Sequence, residues 1–186
     1  MKSDVLFVAE NSLWSNLAHQ FAQTHFDSLV SVFWTYGDPL PHEIATWSGR
    51  WILSFKSDLI LPEQLLRQAE HGGINFHPGP PKYRGIGGHF WAIESCDVDF
   101  GVTCHHMIER VDFGPIIDVR RFSIVESDTP TSLKQRADAE CLTQFFAITS
   151  MILDDRPLPI SDANWGPHLY TRSELSCLLA KKSGGD

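Results

Sequence analysis

Short apolar segments alternate with amphipathic or polar stretches through the first half of the chain. Residues 5–9, 28–34 and 51–55 are apolar and rich in β-branched or aromatic side chains, which is typical of strands buried in a sheet. A helix is predicted from a cap at Asn11 or Ser12 through about residue 23, and another from Pro62 through about residue 70. Strands that alternate with helices indicate an α/β domain with a mostly parallel sheet, flanked by helices.

The second half of the chain predicts a β-ribbon and a long helix. A helix is expected at residues 88–94, and residues 101–108 and 116–122 favour two neighbouring strands. From residue 131 to 154, apolar side chains recur at three- and four-residue steps, so one face of a long helix should pack inward. We assign residues 1–156 to one domain and expect residues 157–186 to be a tail that packs on it or extends it.

Composition narrows the classes of protein that this chain can represent. The 186 residues are 42% hydrophobic and 20% charged, which is ordinary for a single soluble domain. A net charge of −8 without a basic stripe argues against a nucleic-acid partner. Neither a membrane-spanning apolar run nor a signal peptide is recognised, so we expect no membrane partner and a cytoplasmic location. The four cysteines lack Cys-x-x-Cys spacing, which predicts reduced thiols rather than a zinc site.

Candidate chemistry lies where two predicted strands end. Asn75 and His77 are one pleat apart, so their side chains point to the same face, and Pro78 ends the strand beyond them. Asp112 follows the later strand in a turn with Gly114. An amide that stabilises an oxyanion, an imidazole that moves a proton and a carboxylate that orients or relays could together perform acyl transfer. The alternative at all three positions is ordinary turn chemistry.

Three separated motifs resemble those of the folate-dependent formyltransferase family in order and spacing. Asn-x-His-Pro begins at Asn75, and the proline-rich loop after it ends in Tyr83-Arg84-Gly85. Gly-x-Thr-x-His then begins at Gly101, and Asp-x-Gly begins at Asp112. The resemblance covers about residues 5–153 and is greatest to the amino-sugar N-formyltransferases, relatives of the glycinamide ribonucleotide and methionyl-tRNA formyltransferases.

The resemblance implies a Rossmann-like formyltransferase fold and a catalytic domain over residues 1–156. The implied reaction moves a formyl group from N10-formyltetrahydrofolate to a primary amine on an amino sugar or another small metabolite. Asn75 would donate to the oxyanion, protonated His77 would assist, and Asp112 would pass the amine proton towards N10. The residues implied to bind the folate are Phe55, Lys56, Ser57, Asp58, Leu59 and His105. Those implied to face the acceptor are Asn11, Tyr83 and Arg84. A small-molecule amine is the expected partner, and a homodimer is left open.

Departures from the family pattern leave other functions open. The loop Gly79-Pro80-Pro81 is one residue shorter than usual, which puts the choice of acceptor in doubt. An additional C-terminal domain is not recognised, so methionyl-tRNA is not the expected acceptor. The same three residues could serve a hydrolase that gives the formyl group to water, or the chain could be a non-catalytic folate-binding module. A metal site made from His77, Asp112 and one of His105 or His106 is a third alternative.

Overall fold

A computed structural model describes residues 2–183. Its strands are β1 (Lys2–Ala9), β2 (Leu29–Phe33), β3 (Ser48–Phe55), β4 (Gly73–His77), β5 (Arg84–Gly85), β6 (Asp99–His106), β7 (Ile116–Ser123) and β8 (Leu169–Tyr170). Its helices are α1 (Leu13–His25), α2 (His42–Thr46), α3 (Glu63–Leu66), α4 (Gly88–Glu94), α5 (Pro130–Leu153) and α6 (Arg172–Ser183).

Six of the strands form one sheet in the order β2-β1-β3-β4-β6-β7. The first four of these run parallel, whereas β6 is antiparallel to β4 and β7 is antiparallel to β6. Parallel strands need crossover connections, and α1 to α3 lie in those connections. The predicted α/β class, the mostly parallel sheet and the β-ribbon are therefore confirmed.

The long helix α5 forms the main cover on one face of the sheet. Thr129 caps it, because its side chain accepts from the Ser132 amide while the Ser132 hydroxyl accepts from the Thr129 amide, in a capping box. The fully buried ring of Phe145 packs on Phe55 and Phe76 of two adjacent central strands. A second apolar cluster fills the opposite face, so the central strands are buried on both sides, as their continuous apolar runs indicate.

The predicted helix from Pro62 to about residue 70 is wrong in its length. α3 ends at Leu66, because the chain beyond it returns to the edge of β3. The amide of Glu70 donates to the Gly49 carbonyl at 2.9 Å, and Ala69 forms a bridge with Gly49. Pairing with a strand thus overrides the local helical pattern.

The segment after α5 is tied to the domain by β8, which pairs in parallel with β5. Gly85 in this pair has a φ of +84°, and a β-carbon there would lie 2.3 Å from the Tyr170 carbonyl oxygen. Only glycine fits such a position. The C-terminal segment therefore packs against the loop that follows β4. Within residues 2–183, no helix is long and apolar enough to cross a membrane.

Candidate active site

Four polar side chains from three parts of the fold meet at the carboxyl end of β4. Asn75 and His77 share one face of that strand, and His105 on β6 is the cross-strand partner of Asn75. Asp112 reaches the same place from the turn between β6 and β7. The shared face of Asn75 and His77 that was predicted from strand periodicity is confirmed.

Asp112 is the centre of this cluster. Its Oδ1 accepts from Asn75 Nδ2 at 3.2 Å and lies 3.3 Å from His105 Nε2. Its Oδ2 accepts from the Gly85 amide at 2.8 Å and lies 3.4 Å from His77 Nδ1. The side chain is only 8% exposed, so these neighbours replace its water.

The electrostatics of the cluster keep Asp112 ionised. Burial alone would raise the pKa of this carboxyl, but the charge of His77, the hydrogen bond and charge of His105 and the Gly85 amide together hold the pKa well below its usual range. Asp112 therefore remains a carboxylate at neutral pH, able to accept a proton or to orient a charged imidazole.

The backbone around Asp112 is held in an uncommon conformation. Asp112 has a φ of +43°, a region that costs most side chains energy. The guanidinium of Arg84 donates to the carbonyls of Asp112 at 2.7 Å and of Val111 at 2.9 Å. A β-carbon on Gly114 would lie 1.9 Å from the His106 carbonyl oxygen, which explains the glycine of the Asp-x-Gly motif.

Hydrogen-bond partners fix which ring nitrogens carry protons. His105 Nδ1 lies 2.8 Å from the His106 carbonyl and His77 Nε2 lies 2.9 Å from the Tyr83 carbonyl, so each of these nitrogens is a donor. The other nitrogen of each ring faces Asp112. A His77 ring protonated on both nitrogens would satisfy the Tyr83 carbonyl on one side and Asp112 on the other, and this is the form expected to assist an oxyanion.

The Asn75 amide is engaged through its nitrogen. Nδ2 lies 3.1 Å from His105 Nε2 as well as 3.2 Å from Asp112 Oδ1, whereas the buried Oδ1 accepts no hydrogen bond from any residue in the described range. The reverse orientation of the amide would place Asn75 Oδ1 against Asp112 Oδ1. That contact is unfavourable, because the ionised carboxylate has no proton to donate. Donation to an oxyanion therefore requires a rotation of this amide that releases one of its two contacts.

The cluster opens into a cavity of about 570 Å³, a volume suited to a small-molecule ligand. Five of the six residues expected to bind the folate line it: Lys56, Ser57, Asp58, Leu59 and His105. Ile60 and Ile108, which are 69% and 44% exposed, add apolar surface at its edge. Within residues 2–183, no group of His, Cys, Asp and Glu side chains is arranged to hold a metal ion.

Four of the expected ligand contacts are not supported by the structure. Phe55 points into the core and is fully buried against Phe76 and the α5 helix. Tyr83 is also buried, and its hydroxyl donates to Asp97 at 2.7 Å. The Arg84 guanidinium is directed to backbone carbonyls rather than to the cavity, and Asn11 is exposed outside it. These positions lie at strand ends or in loops, where the sequence alone does not show whether a side chain turns inward.

Glu10, Lys56 and Lys134, which line the cavity, belong to a chain of ion pairs that forms a charged part of its wall. Lys56 Nζ is 2.8 Å from Glu10 Oε1 and 2.7 Å from Asp138 Oδ1, and Lys134 Nζ donates to the second Asp138 oxygen at 2.7 Å. Lys56 adopts a φ of +53°, so its backbone is strained at this point. Burial lowers the pKa of neighbouring His89 to about 4, so that ring is neutral. Glu10, Lys134 and His89 thus give this wall both donors and acceptors.

Two contributions from the C-terminal segment were not anticipated from the sequence. The Trp165 ring packs against His105 and near His77, beside Asp112. Arg172, which lines the cavity, pairs with Asp58 and lies over the Tyr36 ring at 3.9 Å. Trp165 and Arg172 lie beyond residues 5–153, the stretch that resembles the family. The only sequence signal for their roles is the presence of aromatic and basic residues in the tail.

The chain belongs to the formyl transferase family, because the model of that family matches residues 51–145, just over half of the chain. Among curated proteins, GDP-perosamine N-formyltransferase from Brucella melitensis is 34% identical over 99 residues. The match covers 53% of this chain but 38% of that relative, so the chain spans less than half of the relative's length.

Solved structures share the fold over nearly the whole chain. An N-formyltransferase from Helicobacter canadensis in complex with folinic acid and dTDP-3-aminofucose has a TM-score of 0.74 at 19% identity, with 91% of this chain and 71% of that chain covered. The formyltransferase PseJ from Anoxybacillus kamchatkensis, in complex with tetrahydrofolate and a formamido UDP-sugar, has a TM-score of 0.72 at 20% identity, with 100% and 93% covered. The Rossmann-like formyltransferase fold is therefore confirmed.

Proposed function

We propose that this protein transfers a formyl group from N10-formyltetrahydrofolate to a primary amine on an amino sugar or a similar small metabolite. The observation that carries the proposal is the Asn75, His77 and Asp112 cluster, which opens into a cavity in a chain of the formyl transferase family. An ionised carboxylate beside two imidazoles and an amide provides the groups that acyl transfer to an amine requires.

The proposed reaction exchanges one carbon–nitrogen bond for another. The acceptor amine attacks the formyl carbon, and the formyl oxygen becomes an oxyanion near Asn75 and His77. The bond between that carbon and N10 then breaks, and Asp112 passes the amine proton towards N10. Doubly protonated His77 stabilises the negative charge, and the carboxylate of Asp112 balances the charge of that imidazolium. Chemistry at the formyl carbon therefore needs no metal ion in this scheme.

Apolar surface on one side of the cluster supports the placement of the folate. Leu59, Ile60 and Leu61 follow β3, Ile108 lies in the turn that leads to Asp112, and all four side chains line the cavity. A flat pteridine ring needs apolar faces and a few polar edge contacts; these apolar side chains can supply the first and the backbone of residues 57–61 the second. The folate ligands named for the Helicobacter canadensis and PseJ structures agree with this donor.

The acceptor is proposed to lie along the wall made by Glu10, His89 and Lys134. The hydroxyl groups of a sugar both donate and accept hydrogen bonds, so they suit a wall that carries donor and acceptor side chains. The relative from Brucella melitensis is named for a nucleotide-linked amino sugar, the Helicobacter canadensis structure contains dTDP-3-aminofucose, and the PseJ structure contains a formamido UDP-sugar. A nucleotide-linked amino sugar is therefore the first acceptor class to test.

The proposal includes a cytoplasmic location and leaves the homodimer as a prediction. Free cysteines support the location, because all four cysteines of the chain lie within the described range and none is in a disulfide bond. Light scattering on the purified protein will determine its oligomeric state.

Incubation with N10-formyltetrahydrofolate and a panel of nucleotide-linked amino sugars tests the proposal. Formamide products are measured by mass spectrometry and free formate by a coupled assay. Formamide that appears only with enzyme and acceptor supports the transferase. Formate without formamide would identify the hydrolase, and tight folate binding without either product would identify a binding module.

A further inference from the structure

Trp165 is in contact with both histidines of the cluster. Its ring is nearly perpendicular to that of His105, with ring centres 4.9 Å apart and an interplanar angle of 88°. The His77 ring lies 6.3 Å away at 67°. Such edge-to-face arrangements are favourable for aromatic pairs and restrict rotation of both rings.

The indole nitrogen of Trp165 is tied to the turn that carries the carboxylate. Nε1 donates to the Gly114 carbonyl at 2.7 Å, two residues after Asp112. Asp112 itself sits in a left-handed backbone conformation, which persists only where surrounding contacts hold it. One side chain thus touches three parts of the site: β4 through His77, β6 through His105, and the turn through Gly114.

The backbone next to Trp165 is anchored on the same loop that holds the cluster. The Gly166 amide donates to the Pro81 carbonyl at 2.9 Å, and the Gly166 carbonyl lies 3.5 Å from Arg84 Nη1. Beyond it, β8 pairs with β5. These contacts fix the position of the indole ring relative to Asp112.

We propose that Trp165 is a positioning residue that holds His77, His105 and Asp112 in the geometry that formyl transfer requires. The proposal rests on the proposed function and extends the active site to a residue outside the matched family stretch of residues 51–145. The ring limits rotation of the two imidazoles, and the indole N–H fixes the turn. Misplacement of a catalytic group by about 1 Å can lower turnover about a hundredfold.

Three variants test this role. Trp165→Phe keeps an aromatic ring beside His105 but removes the hydrogen bond to Gly114, whereas Trp165→Leu removes both. Trp91→Phe is the matched control, because the Trp91 indole also donates to a carbonyl, that of Ile86 at 3.1 Å, and its ring packs on Tyr170 rather than on a histidine.

The measurements are kcat, folate affinity by calorimetry, and the ring resonances of assigned histidines in protein labelled with ¹⁵N-histidine. We expect kcat to fall about fivefold in Trp165→Phe and about a hundredfold in Trp165→Leu. Folate affinity should stay close to wild type in both, while the His105 ring resonances shift. Trp91→Phe should keep wild-type kcat and unshifted His105 resonances.

A folded Trp165→Leu protein with wild-type kcat would overturn the proposal, as would an equal loss of kcat in Trp91→Phe. If Trp165→Leu does not fold, Trp165→Phe decides, and unshifted His105 resonances in it would refute the positioning role. If wild-type protein transfers no formyl group to any amine, the proposed function fails. The histidine resonances then still test whether Trp165 positions the cluster.

Discussion

Asp112→Asn is the substitution that perturbs the proposed site most selectively, because it removes a charge without a change in size. Both carboxylate oxygens accept contacts from donors: the Gly85 amide on one side and Asn75 Nδ2 on the other, with a histidine nitrogen beside each. In the substituted protein one of these oxygens becomes an amide NH₂ group. Either orientation of the new side-chain amide places that group against a donor.

The magnitude follows from those contacts. A buried donor left without an acceptor costs about 1–3 kcal/mol, so the free energy of unfolding should fall by that amount. A domain of this size has about 5–15 kcal/mol of stability, so the variant should still fold. The loss of the carboxylate removes both the acceptor for the amine proton and the counter-charge of His77. Turnover should therefore fall about 10²–10⁴-fold.

Urea denaturation and steady-state formyl transfer measure the two effects separately. The control is Asp99→Asn, because Asp99 is half-exposed and pairs with Arg121 on the surface, where an ion pair contributes little. The control should match wild type in both assays. Wild-type turnover in a folded Asp112→Asn protein would refute the assignment of Asp112 to the reaction.

Four further results are expected. The difference in free energy of unfolding between wild type and Asp112→Asn, measured by urea denaturation, should shrink as pH falls below about 4. The folded pKa of Asp112 is lowered, so its carboxylate stabilises the fold above the unfolded pKa, and this stabilisation is lost as pH falls towards the folded pKa. An unchanged difference at pH 3 would contradict this. Lys56→Met should lower the free energy of unfolding by about 1–3 kcal/mol, because the buried Asp138 Oδ1 loses its donor while Oδ2 keeps Lys134, and a loss below about 0.5 kcal/mol would count against the pair. Gly114→Ala should lower both stability and turnover through its clash with the His106 carbonyl, and wild-type values of both would disprove that constraint. Reduced folates should raise the melting temperature whereas NAD and ATP should not, since neither nucleotide finds a glycine-rich phosphate loop here; stabilisation by nucleotides alone would contradict the proposed donor.

The order of the elements could be predicted from the sequence because it depends on local periodicity. Apolar runs and their spacing identified the parallel strands, the β-ribbon and the long helix. The side-by-side placement of Asn75 and His77 also follows from strand geometry alone. The early end of α3 could not be predicted, since it depends on pairing between Glu70 and Gly49, which are far apart in sequence.

The roles of the loop residues required three-dimensional information. Arg84 stands in a polar loop, where a surface position is the usual expectation, yet it is buried and holds the Asp112 turn. Its contacts connect residues 27 and 28 positions apart, so no local pattern contains them. Trp165 reaches the cluster from a tail that follows the resemblance, and its contacts depend on the β5–β8 pairing. The Arg84→Lys variant is consequently expected to weaken the whole site rather than acceptor binding alone.

A single-turnover reaction with N10-formyltetrahydrofolate labelled with ¹³C in the formyl group tests the central claim most directly. Wild-type protein with a nucleotide-linked amino sugar should move the label into a formamide carbon, observed by NMR, and His77→Ala should leave it on the folate. Label that is released only as formate, or label that His77→Ala transfers as fast as wild type, would contradict the account.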